Sequence, residues 1–397
     1  FLIYWFGREW FGKFAGLAAA FLYALSPVVI FHSRSSWNPN VMPFFALLTI
    51  WGIWQFWQKR NFFWLLPIGV SLSFAVQSHY LGILLIPLVA IFWLLSIFQL
   101  KGEKKTLKKF LKFSAVGCLL FAILTILPLV WFDLRHNLLN YHAFQKFFGD
   151  RQTTVNFKFY KSIPNLWPLW EMMVTRLLTA KEMTWGTPTA LGLLAGVVLV
   201  FRKGGRAFGL ILVWLMVGLV GMGLYKQHIY DHYFGFLFPG IFLLTGAFLG
   251  IIWRYGKAGK LFIVCCLLFV VFLDFQNSPL RSGPNFQLRR VQEVDRKIIT
   301  EAGGKNFNLG LIAKQNYEAG YSYFLELWGK RSSEIDPQRF SETITDQLFV
   351  ICEDPVCEPI NHPKAEIANF GWSKIEQEWQ FPWGVRLFKL VHSQNAK

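Results

Sequence analysis

The sequence predicts an all-α, polytopic membrane protein with a small α/β domain at its C-terminal end. Three observations lead there. The 397 residues are 54% hydrophobic and 18% aromatic with 16% charged, more apolar and less charged than a soluble domain. Apolar runs approaching membrane length recur from Phe14 to Asp274, as in a chain that crosses a bilayer repeatedly. After Asp274 the texture turns to short amphipathic and alternating stretches. The predicted domains are therefore 1–274 and 275–397, with Asn277, Ser278, Pro279, Ser282, Gly283 and Pro284 as linker.

In chain order, about nine spans are predicted near 14–31, 41–57, 62–78, 79–98, 113–131, 188–201, 207–224, 233–252 and 260–274. Phe1–Phe6 reads as the tail of a helix already under way, so the chain is expected to lack its N-terminus. Orientation follows from lysine and arginine. Alternate loops hold Arg8 and Lys13; Lys59 and Arg60; six lysines from Lys101 to Lys112; Arg202, Lys203 and Arg206; Arg254, Lys257 and Lys260. The positive-inside rule makes these cytoplasmic. The stretch 32–40, the turn Ser78-His79-Tyr80, the loops 132–187 and 225–232 and the C-terminal domain are then extracytoplasmic, in a multi-pass protein of the plasma or inner membrane.

The net charge of +17 rests on residues 1–274, with 25 Lys and Arg against 8 Asp and Glu; residues 275–397 hold 15 of each. That distribution suits loops facing anionic lipid and excludes a nucleic-acid surface. Loop 132–187 is read as lying on or dipping into the outer leaflet, through an amphipathic part at Leu138–Phe148 and a Trp/Pro-rich part at 164–170. In the C-terminal domain, 287–303 and 317–328 read as helices, 308–313 and 347–352 as strands, and 379–391 as a final strand or hairpin. Cys118, Cys265 and Cys266 read as packing residues in apolar spans. Cys352 and Cys357 read either as a disulfide closing a short loop or as two free thiols. They have no companion Cys/His pair at zinc spacing.

Chemistry collects on the outer turns. Arg34, Trp37, Asn38 and Asn40 interrupt two apolar runs, as do His79 and Tyr80; Arg135, Lys226, Asp231 and His232 end others. Each residue alone is more readily an interfacial anchor than a site, but inner ends carry plain Lys and Arg while outer ends mix His, Tyr, Asn and Trp. Fixed cations, amides and rings suit a phosphate and a sugar. Asp231 is placed to orient a histidine. There is no P-loop, no Gly-x-Ser-x-Gly elbow and no His-Glu-x-x-His helix.

Four stretches carry a family resemblance: Tyr4 to Ala20 with Gly7-Arg8 and Phe11-Gly12-Lys13; Ala24-Leu25-Ser26-Pro27 with Ser33-Arg34 and Trp37-Asn38-Pro39-Asn40; Gln77-Ser78-His79-Tyr80; and His232-Tyr233 with Phe238-Pro239. Their order resembles the GT-C glycosyltransferases, in particular the bacterial relatives of protein mannosyltransferases and of the aminoarabinose transferase. The resemblance implies a GT-C-like helical bundle and transfer of a sugar from a polyprenyl-phosphate donor to a lipid, glycan or protein acceptor at the outer face. It implies a catalytic acid in a first outer loop that would precede Phe1, so no residue here inherits that role. The residues named above are then donor phosphate and sugar contacts. No cofactor is read from the sequence, and a divalent metal is left open. A transporter or flippase of lipid-linked sugars is the alternative, and a binding subunit of polysaccharide assembly a third reading.

Overall fold

The computed structural model describes residues 1–393 except 150–154, 157, 202, 203, 285, 315, 337, 338 and 355. The chain forms two compact units, Phe1–Ser282 and Gly283–Lys397.

The first unit is helical. Its helices are α1 (Leu2–Phe11), α2 (Lys13–Leu25), α3 (Pro27–Ser33), α4 (Met42–Gln58), α5 (Leu65–Ser78), α6 (Leu85–Gln99), α7 (Lys104–Arg135), α8 (Leu139–Gly149), α9 (Ile163–Leu178), α10 (Met183–Val200), α11 (Gly205–Gly223), α12 (Phe238–Ile252) and α13 (Gly256–Gln276). Every apolar run singled out in the sequence holds a helix. Among the described residues, five helical segments are long and apolar enough to cross a membrane, and α2 with α3 makes a sixth, bent by 67°. This is a multi-pass membrane protein, with fewer full-length spans than the nine predicted. The bend has a local cause. Pro27 has no N–H to give and drives Ser26 extended (ψ 119°), so the helix restarts in a new direction.

Large rings fill the bundle's core: Phe6 stacks on Trp51 at 4.4 Å and Phe14 on Trp253 at 4.0 Å. At one end of α4 basic side chains tie the helices, through Lys59–Glu9 (3.6 Å), Arg60–Glu103 (3.0 Å) and Arg206 donating to Gln58 (2.8 Å). Of that last basic loop, Arg202 and Lys203 lie outside the described residues. Loop 132–187 holds two helices, α8 and α9. Asp133 caps α8, accepting from the backbone N–H groups of Asn140 and Tyr141 (2.8 and 2.9 Å). Helix α9 is part of the core, with Trp170, Met173, Val174 and Leu177 buried. Trp170 donates to the Ala190 carbonyl (3.1 Å). Cys118 and Cys265 are exposed on their helices and Cys266 half-buried, so they face lipid more than core.

The second unit is a mixed four-stranded sheet in the order β1-β2-β4-β3. Strands β1 (Asn308–Ile312) and β2 (Gln347–Cys352) are parallel; β2 and β4 (Arg386–His392), and β4 and β3 (Ser373–Gln380), are antiparallel. Gln347–Cys352 is buried along its length, as a near-continuous apolar run in a central strand should be. Helices α14 (Gln287–Glu301) and α15 (Ala319–Leu327) cover one face. Cys352 and Cys357 are joined as a disulfide.

Candidate functional site

Three short turns at the other end of α4 build the site. The first follows α3. Trp37 is extended (φ −145°, ψ 141°), and Pro39 sits in the first turn of a 3-10 segment, Asn38–Val41, where its missing N–H costs no bond. The second joins α5 to α6. His79 is extended (φ −161°, ψ 138°). The backbone N–H of Leu81 donates to its Nδ1 (3.3 Å), which leaves the ring proton on Nε2. The third is a 3-10 segment, Asp231–Leu237, that feeds α12.

The turns bring their rings into one platform. The His232 ring lies 4.4 Å from Trp37, 5.4 Å from His79, 4.7 Å from Tyr233 and 6.3 Å from His32. His79 stacks on Tyr80 at 4.3 Å, and the Tyr80 and Tyr225 hydroxyls are 3.0 Å apart. Tyr230 stacks on His232 at 5.8 Å. Trp37 keeps 51% of its surface exposed, so the platform has an open side. Beneath it a 30 Å³ cavity is lined by His32, Asn40 and His232. Among the described residues, both His32 nitrogens and the Asn40 Oδ1 are buried there with no well-formed hydrogen bond, Asn40 being the polar side chain that faces His32. Buried polar atoms left so carry a desolvation cost that a bound polar group would relieve.

Asp231 corrects an expectation. Its carboxylate orients no histidine; it accepts from Arg176 Nη1 at 2.9 Å and Lys181 Nζ at 2.6 Å. One carboxylate against two cations leaves a net positive charge beside the rings. Ala180 and Lys181 both adopt left-handed backbone (φ 51° and 72°), at a cost of about 1–3 kcal/mol each. The Thr175 carbonyl accepting from Lys181 N–H (3.0 Å) holds that turn.

The remaining predicted residues scatter. Asn40 donates to the Ser35 carbonyl (2.7 Å). Arg34 and Asn38 are exposed, beside the platform in sequence and, among the described residues, in none of its ring contacts. Arg135 lies over Trp131 (4.5 Å) at the end of α7 and does not join the platform. Lys226 lines a neighbouring cleft. Sequence reasoning missed Arg176, Lys181 and Tyr225. The signal for Arg176 was present: Trp170, Met173, Val174 and Leu177 repeat with helical spacing, which places Arg176 on a packed helix. Among the described residues, no group of three His, Cys, Asp or Glu is placed to hold a metal ion.

Residues 1–132 match the family model described as dolichyl-phosphate-mannose-protein mannosyltransferase. Trp37, His79 and Tyr80 fall inside that match, and His232 beyond it. No curated protein matches the chain. Among solved structures, the crystal structure of ArnT from Cupriavidus metallidurans bound to undecaprenyl phosphate aligns with a TM-score of 0.57 at 10% identity. The alignment covers 98% of this chain and 81% of that one. The chain has the GT-C fold. The turns bearing Trp37, His79 and His232 are thus parts of a GT-C bundle.

Proposed function

We propose that the chain is an integral-membrane glycosyltransferase that moves a sugar from a polyprenyl-phosphate donor to an acceptor at the extracytoplasmic face. The ring platform carries this reading, set at one end of a fold that in ArnT accompanies bound undecaprenyl phosphate. Trp37, His79, His232 and Tyr233 offer a sugar apolar faces and ring-edge hydrogen bonds in one place. Arg176 and Lys181 leave net positive charge where a phosphate departs, which favours charge developing on its oxygens. Asp231, already held by both cations, is a binding group and not the base that activates the acceptor. The basic loops at the far end of α4 are cytoplasmic by the positive-inside rule. On this reading the platform, and the second unit after α13, lie outside.

The test uses the purified protein with any segment that precedes Phe1, a radiolabelled sugar on polyprenyl phosphate, and membrane extract as the acceptor source. Wild type transfers label. Trp37→Ala and His232→Ala each lower kcat/KM by about tenfold, the size of one lost ring contact and its hydrogen bond. Undiminished transfer by both variants removes the platform from the site. Translocation of the lipid-linked sugar across a liposome bilayer without transfer sinks the enzyme in favour of a flippase.

A further inference from the structure

The start of α7 is rich in lysine, and the platform uses none of it. Lys104, Lys105, Lys108, Lys109 and Lys112 lie on the helix itself. At about 100° per residue they fall within an arc of about 140°. The opposite face belongs to the bundle. Phe110 is fully buried there, its ring 5.2 Å from Phe62, 5.9 Å from Trp93 and 6.0 Å from Phe56. The lysines therefore point away from the protein, and all five are exposed. The stripe ends where the apolar part of α7 begins. From Phe113 to Phe132 the helix carries no charged residue, a length of about 30 Å, which is the thickness of a hydrocarbon core. Lys112 then sits at the edge of that core, and the helix back to Lys104 covers about 12 Å. That stretch crosses the headgroup layer, about 5–8 Å deep, and projects a little beyond it.

We infer that this stripe is a docking surface for anionic phospholipid headgroups, in the leaflet on its own side of the membrane. Lysines in one line along a helix that runs through the headgroup layer meet several phosphates at once, each stem lying along the helix with its ammonium among the headgroups. A zwitterionic headgroup brings its own cation and gains less there. The other cations at this end are spent inside the bundle: Lys59 on Glu9 (3.6 Å), Arg60 on Glu103 (3.0 Å) and Arg206 on Gln58 (2.8 Å). Glu9 and Glu103 are the acids at this end among the described residues, and those pairs already occupy both. The residues of the basic loop beside them that lie outside the described ones, Arg202 and Lys203, are themselves cations. A soluble acidic protein fits the stripe less well, because Lys108, Lys109 and Lys112 lie at headgroup depth. The inference needs α7 to span the bilayer and does not rest on sugar transfer.

The test places the purified protein in phosphatidylcholine vesicles. Electron spin resonance then compares the association of spin-labelled phosphatidylglycerol with that of spin-labelled phosphatidylcholine. Wild type is expected to prefer the phosphatidylglycerol by about fivefold or more, the worth of one lysine at a membrane surface. Molar salt, which shortens the screening length to about 3 Å, removes the preference. Lys108→Gln/Lys112→Gln lowers it to below about twofold; both positions are exposed, and glutamine suits a helix as lysine does. Lys108→Arg/Lys112→Arg keeps it. So does Lys13→Gln/Lys257→Gln, which removes the same charge from two other exposed positions at this end. Unchanged gel-filtration and circular-dichroism profiles establish that the variants fold, and the salt response of wild type is a measurement independent of them. No preference in wild type, a preference that survives molar salt, or one unchanged in Lys108→Gln/Lys112→Gln overturns the docking surface and leaves the stripe to an acidic protein or to water. An equal fall in Lys13→Gln/Lys257→Gln spreads the effect over the whole basic end and overturns the stripe as its site.

Discussion

His79 shows how one side chain's protonation sets what the platform binds. Burial lowers its pKa to about 4, with the His232 ring adding to the shift. Above that value the folded ring is neutral and presents an Nε2–H with no charge. It offers a hydrogen bond to a sugar oxygen and leaves a phosphate to Arg176 and Lys181. The linkage has a definite sign. A histidine whose folded pKa lies below its ordinary 6.5 contributes stability in full above 6.5 and loses it as pH falls toward 4. Carbon-13 histidine spectra, with His79→Asn supplying the assignment, are expected to show its titration midpoint about two units below the ordinary value; a midpoint near the ordinary value removes the desolvated, neutral ring. The identities of such residues were legible in the sequence, because polar groups interrupting apolar runs stand out. Their company was not. Trp37 meets His232 across most of the first unit, and no local pattern encodes that meeting. Asp231 found two cations because α9 and the strained turn after it deliver them, and that stretch reads as loop when its prolines and tryptophans are weighed over its helical spacing.

Elements were more legible than their lengths. Each apolar run holds a helix because a bilayer leaves the backbone little other choice. The run from 113 extends back through the lysines to Lys104, a helix of 32 residues, or about 48 Å, well beyond a bilayer core. Only 11% of its most apolar window is buried; Phe110 and the bond from Trp93 to Ser114 (2.9 Å) hold its first half, and a close crossing with α5 adds to them. Gly69 and Gly117 make that crossing: a Cβ on Gly69 would meet the Gly117 carbonyl, and one on Gly117 the Leu65 carbonyl. These are backbone atoms and cannot rotate away. Gly117→Leu is therefore expected to force the helices apart at a cost of at least about 1–3 kcal/mol, lowering the thermal midpoint of the purified protein. Gly209→Leu on α11 is the control, since nothing lies within 4 Å of a Cβ there. Equal midpoints for the two variants would mean that α7 is not held by this crossing.

At the scale of the whole molecule the two units answer to different solvents, and the second has a chemistry of its own. The alternation and the apolar run of β2 made its strands legible; the buried charges behind them were not. Glu353, next to the disulfide at Cys352, accepts from Arg290 (3.0 Å), Asn316 (3.0 Å) and Tyr321 (2.7 Å). On α14 nearby, Asp295 is fully buried and neither of its oxygens has a hydrogen bond. Burial raises its pKa from 3.8 to about 8, so the folded unit holds this carboxyl protonated at neutral pH. The unfolded chain releases that proton near 3.8, and the folded chain only near 8. Between these values the folded state binds more protons, so stability is greatest below the lower value and falls as pH rises through the window. The loss amounts to a few kcal/mol, on the order expected for a fully buried carboxyl. Hydrogen exchange of the β1 and β2 amides, followed in the full-length chain in urea, reads this unit apart from the helices. Protection is expected to drop steadily from pH 5 to pH 8, about 1.4 kcal/mol per unit at the steepest. Asp295→Asn, which cannot ionise, should flatten that slope while keeping the fold. A slope unchanged in the variant would clear Asp295 of the pH dependence, and would make it a residue that finds water or a partner when the unit breathes.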